Sequence, residues 1–489
     1  MIIPTVYVVI IYCLLTSMIV NGAIGLNWGR ENAQRLLPST VVDILLQNNV
    51  PQARIYTSQP DILQAFCGSG INLTISILNI KAITNDTDIQ SWVQKNVKFF
   101  GPANIRRVYI GNYVYDKINP QINLFEAHLK AVKAIQAALN SVGYADHIKV
   151  NLPLSHNILK DNITRPSDAD FRDDLKPLIK ETIRHLADKG APFVLQMFPI
   201  LYITENKLDP DFAFVGGGSR HVVRDVGGAV YTNVFEFMYD SIVWALEKAG
   251  APSDMEVVVG HVGWPTDGYP GANTSTAERF FKGFLPFVKS NKGTPKRPGR
   301  SIDTYLHSLT DEPKNSAQQP PFSRHWGIFR SNGEPKYKID LSGQGRDIYP
   351  AKARGIQRMP DRWCMFNGDM TNVSRVKEQV AKACDGADCT AMAPGGSCSN
   401  LNFMHNVSYA FNMFFQSKFQ DERECWFEGF ARVVSDVNPS TGTCVFPVEV
   451  VKGEQMNFGD RPSDGERLHH GSRAILLFFV LLISIHWIL

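Results

Sequence analysis

The front part of the chain alternates short apolar, β-branched segments with amphipathic segments of helical spacing. The strand-like segments are residues 23–27, 52–56, 73–78, 107–110, 148–152, 193–198 and 256–260. The helical segments between them are 40–48, 61–66, 88–99, 124–139, 171–188 and 233–249. Such alternation favours a parallel α/β fold. About eight units, with no glycine-rich loop after the first strand, predict a (β/α)₈ barrel rather than a doubly wound sheet.

Cysteine usage divides the chain of 489 residues into two parts. Six of the eight cysteines fall between Cys364 and Cys444, and the others are Cys13 and Cys67. A short cysteine-dense segment is typical of a disulfide scaffold, and spacing alone leaves 15 pairings open. We therefore predict a barrel over 23–345, a linker over 346–362 with Pro350 and Pro360, and a small domain over 363–447.

Both ends of the chain carry apolar segments. Residues 1–22 are typical of a signal peptide, and 464–489 of a glycosylphosphatidylinositol (GPI) signal that follows a polar tail over 448–463. Ser463 is the expected attachment residue; a transmembrane helix is the alternative, but the apolar run is shorter than the ~20 residues of a span. N-glycosylation sequons begin at Asn72, Asn85, Asn162, Asn273, Asn372 and Asn406. These features predict a secreted protein of the plasma membrane and cell wall.

The formal net charge is +3, from 50 basic and 47 acidic residues. This balance gives no electrostatic reason to expect nucleic acid as a partner and favours a neutral or weakly charged ligand. No cofactor and no metal are expected.

Two motifs follow predicted strands, where a barrel of this kind places its active site. Residues 107–114 read Arg-Val-Tyr-Ile-Gly-Asn-Tyr-Val, and 257–268 read Val-Val-Val-Gly-His-Val-Gly-Trp-Pro-Thr-Asp-Gly. Together with 24–29, 231–239, 293–298 and 324–329, they resemble glycoside hydrolase family 17, the plant endo-β-1,3-glucanases. The resemblance implies a (β/α)₈ barrel that cleaves β-1,3-glucan with retention of configuration.

The resemblance also implies that both catalytic glutamates are replaced. The family acid/base follows a Gly-Asn pair, and here Tyr113 follows Asn112. The family nucleophile stands two residues before Gly-Trp-Pro, where this chain has His261. Retaining hydrolysis needs two carboxyl groups about 5 to 5.5 Å apart. We therefore expect no catalytic residues of the usual kind, although Asp116 or Asp267 remain alternative acids.

Further positions also depart from the family pattern. A tyrosine of the family is Phe198, a glutamate is Ser323, and the family's Asp-Glu-x-x-Lys spacing is shortened to residues 311–314. Candidate glucan-contacting residues are Asn112, Tyr113, Trp28, Trp264 and Phe198. The alternative is structural: Tyr113 closing the barrel mouth, His261 as a hydrogen-bonded polar residue and the turn at Trp264 as a loop anchor.

The small domain resembles carbohydrate-binding module family 43. The similarity rests on Trp-Cys at 363–364, Cys-Asp-Gly-Ala-Asp-Cys at 384–389, Pro-Gly-Gly-Ser-Cys at 394–398 and Tyr-Ala-Phe-Asn at 409–412. It implies disulfides Cys364–Cys425, Cys384–Cys389 and Cys398–Cys444, and binding of β-1,3-glucan. A spacer between barrel and membrane is the alternative.

The hypothesis that follows is a surface protein that binds callose-like β-1,3-glucan without cutting it, with a role in cell-wall organisation. Two linked sites would raise the apparent affinity for a polymer. One alternative is an active glucan endo-1,3-β-glucosidase or transferase that uses other acids. Another is a scaffold whose partner is a surface receptor or wall protein.

Overall fold

The structure is a computed structural model that describes residues 22–32, 36–80, 85–101, 105–112, 122–315, 321–356 and 358–449. Residues 1–21 of the predicted signal peptide, Tyr113, Asp116, Ser463 and the GPI signal lie outside the described residues. Among the residues that are described, no helix has both the length and the apolar composition needed to cross a bilayer.

The front part folds into a nearly closed parallel barrel. Its strands are β1 Ile24–Trp28, β2 Gln52–Ile55, β3 Asn72–Ile77, β4 Ile105–Ile110, β5 Lys149–Asn151, β6 Pro153–Ser155, β7 Phe193–Gln196, β10 Val257–Val262 and β11 Thr304–Leu306. The sheet order is β5-β4-β3-β2-β1-β11-β10-β7-β6. A short hairpin, β8 Val223–Arg224 with β9 Val230–Tyr231, lies outside this sheet.

Interruption at Leu152 explains why a barrel of eight units shows nine strands. β5 pairs with β4, and β6, which starts two residues after β5 ends, pairs with β7. The two short strands are thus one broken fifth strand that lies between the two ends of the sheet. The predicted (β/α)₈ barrel is confirmed.

Helices cover the outside of the barrel as α1 Pro38–Gln47, α2 Pro60–Phe66, α3 Asp86–Trp92, α4 Ile122–Ser141, α5 Lys176–Asp188, α6 Pro199–Glu205, α7 Val234–Lys248 and α8 Thr274–Lys289. A π-helical turn, Val93–Lys98, continues α3. Asparagine side chains cap several helices; Asn273, for example, forms a capping box with Thr276 at the start of α8. Apolar residues of strands and helices form one large core.

The first part of the segment between the domains, residues 346–356, lies against the barrel. The Asn48 side chain accepts from the Ala351 amide (2.8 Å) and donates to the Ala351 carbonyl (3.0 Å). Ala353 is buried in the barrel core and donates its amide to the Gly333 carbonyl. The segment that the sequence marks as a linker therefore has specific contacts with the barrel.

The small domain pairs β12 Trp363–Phe366 with β13 Ala431–Val434 and packs α9 Val373–Gly386 and α10 Phe403–Ser417 beside them. Its disulfides are Cys364–Cys425, Cys384–Cys389 and Cys398–Cys444, the same pairs that the resemblance implies. Cys364 and Cys425 lie inside its apolar core with Phe411 and Phe427. Cross-links thus supplement a core that is small for independent stability.

Candidate functional site

Carboxyl ends of the barrel strands bring four aromatic side chains together. His261 is the penultimate residue of β10, Phe198 follows β7 and His307 follows β11, while Trp326 comes from a later loop. The ring centroid of His261 lies 3.9 Å from that of His307, 4.7 Å from that of Phe198 and 6.0 Å from that of Trp326. The position that the resemblance assigns to the nucleophile is therefore enclosed by rings.

His261 is completely buried and neutral. Its pKa is held well below the usual value by burial and also by its neighbours His307 and Arg54. Burial, with Arg54, lowers the pKa of His307 to about 3. Two neutral imidazoles thus stand where a retaining enzyme needs a negative carboxylate next to the sugar ring.

A polar network fills the barrel interior beside these rings. Arg54, fully buried on β2, donates from Nε to Ser76 Oγ (3.0 Å) and from Nη2 to Asn112 Oδ1 (3.2 Å). Gln196 Nε2 also donates to Asn112 Oδ1, at 2.7 Å. Asn112, a candidate glucan-contacting residue, therefore has its side-chain oxygen occupied by two donors from the barrel.

Two tyrosine rings and a carbonyl complete the surroundings of Arg54. Its guanidinium carbon lies 4.6 Å from the ring centre of Tyr56 and 4.9 Å from that of Tyr109. Its Nη1 donates to the Gly260 carbonyl at 3.4 Å, which also accepts from Asn27 Nδ2 at 3.1 Å. Cation–π contacts and neutral acceptors hold this buried charge.

Replacement of Arg54 by methionine is expected to lower the free energy of unfolding by about 3 kcal/mol. Ser76 Oγ would lose its buried donor, while the Asn112 and Gly260 oxygens would each keep one of their two donors. An unpaired buried polar group costs about 1 to 3 kcal/mol, and each lost hydrogen bond to a charged group adds to this cost. Arg106→Met is the matched control, because Arg106 is exposed on β4 and should change stability by less than about 0.5 kcal/mol. Chemical denaturation of both variants measures the difference; equal midpoints would show that Arg54 is not required.

One carboxyl group does lie buried near the barrel mouth. Glu312 accepts from the Glu31 amide at 3.2 Å, and burial raises its pKa to about 7. A Cβ added to Gly29 would lie 1.8 Å from Glu312 Oε1, so glycine is required for the close approach of this loop. Lys314, two residues on, is exposed. Glu312 and Lys314 thus differ in environment.

The tryptophan candidates are buried. Trp28 is 3% exposed at the end of β1, and Trp264 is 4% exposed. Trp264 donates its indole N–H to the Gly271 carbonyl and Thr276 Oγ1, both at 3.1 Å, while its ring packs between Phe214 and Phe280. These contacts match the loop-anchor alternative for Trp264. Phe198 is partly exposed.

Asp267, the alternative acid in the described part, is engaged elsewhere. Its two carboxylate oxygens accept from the amide (2.7 Å) and the hydroxyl (2.6 Å) of Ser397 in the small domain.

Of the sequon asparagines, Asn406 is partly buried and the others are exposed. Asn406 donates Nδ2 to the Leu401 carbonyl at 3.1 Å.

Comparison with known proteins decides the family. The profile described as glycosyl hydrolases family 17 matches residues 24–341, and the X8 domain profile matches 362–432. The chain belongs to glycosyl hydrolase family 17. Glucan endo-1,3-beta-glucosidase 8 of Arabidopsis thaliana is 36% identical over 450 residues, covering 90% of this chain and 92% of the relative. Glucan endo-1,3-beta-glucosidase 5 of the same plant is 36% identical over 459 residues, covering 92% of each.

Two solved plant glucanase structures agree with the barrel. The β-1,3-glucanase and allergen CJP38 of Cryptomeria japonica pollen is 29% identical with a TM-score of 0.61, covering 65% of this chain and 99% of that one. A plant beta-glucan endohydrolase is 27% identical with a TM-score of 0.59 and the same coverage. The family 17 barrel and the X8 domain are thus both present in this chain.

Several residues of the candidate site and of its contact with the X8 domain are not detected from the sequence. His307 and Trp326 meet His261 only in the folded barrel, because they lie tens of residues away in the chain. Arg54 had a visible signal, namely a charge inside the short predicted strand 52–56, and the structure buries it. Asp388 lies in the cysteine motif 384–389, but its partners Arg324 and His325 belong to the barrel and are not indicated by that motif.

Proposed function

We propose that this protein binds β-1,3-glucan without hydrolysing it. The observation that carries the proposal is the buried, neutral His261 stacked on His307 at the end of β10. A neutral imidazole there neither forms the usual glycosyl ester nor balances the charge of an oxocarbenium-like transition state. Membership of family 17 and the X8 domain both support glucan as the ligand.

The proposal includes a place in the cell. An exported, GPI-anchored protein at the plasma membrane and cell wall would present both domains to callose-like polysaccharide and contribute to wall organisation. Three disulfides favour an oxidising compartment. The exposed sequon asparagines, such as Asn72 and Asn162, are accessible for glycosylation.

Laminarin binding and cleavage, measured on the same sample, test the proposal. We expect isothermal titration of the mature protein to give a dissociation constant below about 1 mM, with no shorter oligosaccharides after long incubation over a broad pH range. A soluble β-1,4-glucan serves as the matched ligand control. Failure to bind laminarin would overturn the binding half, and release of oligosaccharides would overturn the inactive half.

Glu312 favours a second candidate function, glucan hydrolysis or transfer by non-standard acids. A buried carboxyl group with a pKa of about 7 has the protonation behaviour of a general acid near neutral pH. If laminarin is cleaved, Glu312→Gln should abolish the products, while Asp254→Asn, at an exposed aspartate, should leave them. Cleavage unaffected by Glu312→Gln would remove this candidate.

A further inference from the structure

The loop after β10 touches the X8 domain. Asp267 in this loop receives both hydrogen bonds from Ser397. Close by, a Cβ added to Gly395 would lie 2.7 Å from the backbone nitrogen of Pro270, so the two backbones nearly touch. Only glycine fits at position 395, which also has a positive φ of 85°.

A second barrel segment meets the X8 domain through charges. Arg324 Nη1 lies 3.1 Å from Asp388 Oδ1, and His325 Nε2 lies 3.2 Å from Asp388 Oδ2 and 2.8 Å from Thr390 Oγ1. The Asp388 side chain is 4% exposed. Thr390 adds a hydroxyl and an amide donor at 2.6 and 3.0 Å. Asp388 is therefore a buried carboxylate satisfied from both domains.

These two barrel segments are joined to each other and to the aromatic cluster. The amide and hydroxyl of Thr266 both donate to the His325 carbonyl at 2.9 Å. Trp326, next to His325, places its ring 6.0 Å from Phe198 and 5.6 Å from His307. Asp388 thus contacts His325, and the next residue, Trp326, packs against the rings around His261.

We propose that the X8 domain is a fixed wall of the barrel site, docked by Asp388 and Ser397, and that Asp388 is a positioning residue which holds Trp326 against Phe198 and His261. Separating the domains would leave the buried Asp388 carboxylate without Arg324 and His325, and an uncompensated buried charge is strongly destabilising. The contact between the domains is therefore costly to open. The bonds of Asn48 to Ala351 add a second attachment along the connecting segment. A freely tethered module would need neither feature.

The charges around His325 make the strength of the docking depend on pH. Facing it are Asp388, Asp311, Asp267 and Arg324. Although burial opposes its charge, the Asp388 carboxylate raises the pKa of His325, and the pKa of Asp388 is held far below its usual value despite burial. The His325 contribution is complete below about pH 6.5 and is lost as pH rises through its raised pKa. The Asp388 contribution is complete above about pH 4 and is lost as pH falls through its lowered pKa.

Hydrogen exchange of the full mature chain tests the docking without any glucan, so its result is independent of the proposed function. In Asp388→Asn we expect backbone amides of 263–271 and 324–329 to lose protection by at least about tenfold. Asp385→Asn, an exposed aspartate three residues earlier, is the matched control and should exchange like the wild type. Indole fluorescence should also change in Asp388→Asn as Trp326 leaves its packed position.

Asp267→Asn repeats the test from the barrel side, where the variant leaves the X8 fold untouched. We expect the same two segments to lose protection while peptides of α9 and α10 keep theirs. In the wild type, protection of 324–329, corrected for intrinsic exchange, should be greater at about pH 5.5 than at about pH 9. Unchanged protection of both segments in Asp267→Asn and Asp388→Asn would overturn the proposal, as would loosening confined to X8 peptides.

Discussion

The Tyr113→Glu, His261→Glu double variant is expected to remain at least about 10⁴-fold slower on laminarin than an active family 17 enzyme assayed beside it. Restoring two carboxyl groups restores the residue types that the resemblance assigns to the family. It does not give the carboxyl group at position 261 access to substrate, because that position is fully enclosed.

The enclosure has a specific cause. The rings of His307, Phe198 and Trp326 surround His261, and a glutamate placed among them would be desolvated. Arg54 would offset part of this cost but is already committed to Ser76 and Asn112. A nucleophile must also approach the anomeric carbon, which the present packing of rings prevents.

The experiment measures reducing ends released from laminarin, with thermal unfolding as the check that the variants fold. Tyr113→Phe with His261→Gln is the control that alters the same positions without adding carboxyl groups. Adding Phe198→Tyr and Ser323→Glu to the double variant tests whether the surrounding positions block catalysis. Substantial turnover in the double variant itself would show that the cleft is intact and would contradict our interpretation of the enclosure.

Loss of the Cys364–Cys425 disulfide should unfold the X8 domain while the barrel keeps its own transition. The bridge spans a sequence separation of 61 residues. Loop closure of this length contributes about 4 kcal/mol. Cys364 and Cys425 also lie in the domain core, so replacement by alanine removes packing as well. A small domain has little stability to spare.

Calorimetry of the full chain checks this expectation for Cys364→Ala with Cys425→Ala. Cys67→Ser is the control, since Cys67 is a free, exposed cysteine of the barrel and its loss should leave both domains unchanged. An X8 transition in the double alanine variant at the wild-type temperature would mean that the core alone supports this domain.

Much of the barrel follows from local sequence pattern. Segments predicted as strands at 23–27, 52–56 and 73–78 lie within one residue of β1, β2 and β3 at either end. The eighth strand, Thr304–Leu306, was not predicted, because three residues are too few to show a period. Helix Thr274–Lys289 was also missed; Gly283 and Pro286 inside it weaken the helical signal.

The site was predictable only in part, for a physical reason. Motif order identified His261, but the neutrality of its ring depends on His307 and Arg54, which approach it only when the barrel closes. Asp267 looked like an available acid in a loop, yet Ser397 of the other domain takes both of its oxygens. Contacts between distant segments and between domains have no local pattern from which to infer them.

The broken fifth strand leaves one seam in a sheet that is otherwise continuous through the pairing of β1 with β11. Gln196 of β7, on one side of this seam, donates to Asn112, which follows β4 on the other side. Arg54 of β2 and Asn27 of β1 reach the Gly260 carbonyl of β10 across the barrel interior. These side chains therefore connect strands that do not pair with each other. A substitution introduced there to change chemistry also changes the contacts that close the barrel, so recovering an enzyme from this scaffold would require both to be rebuilt together.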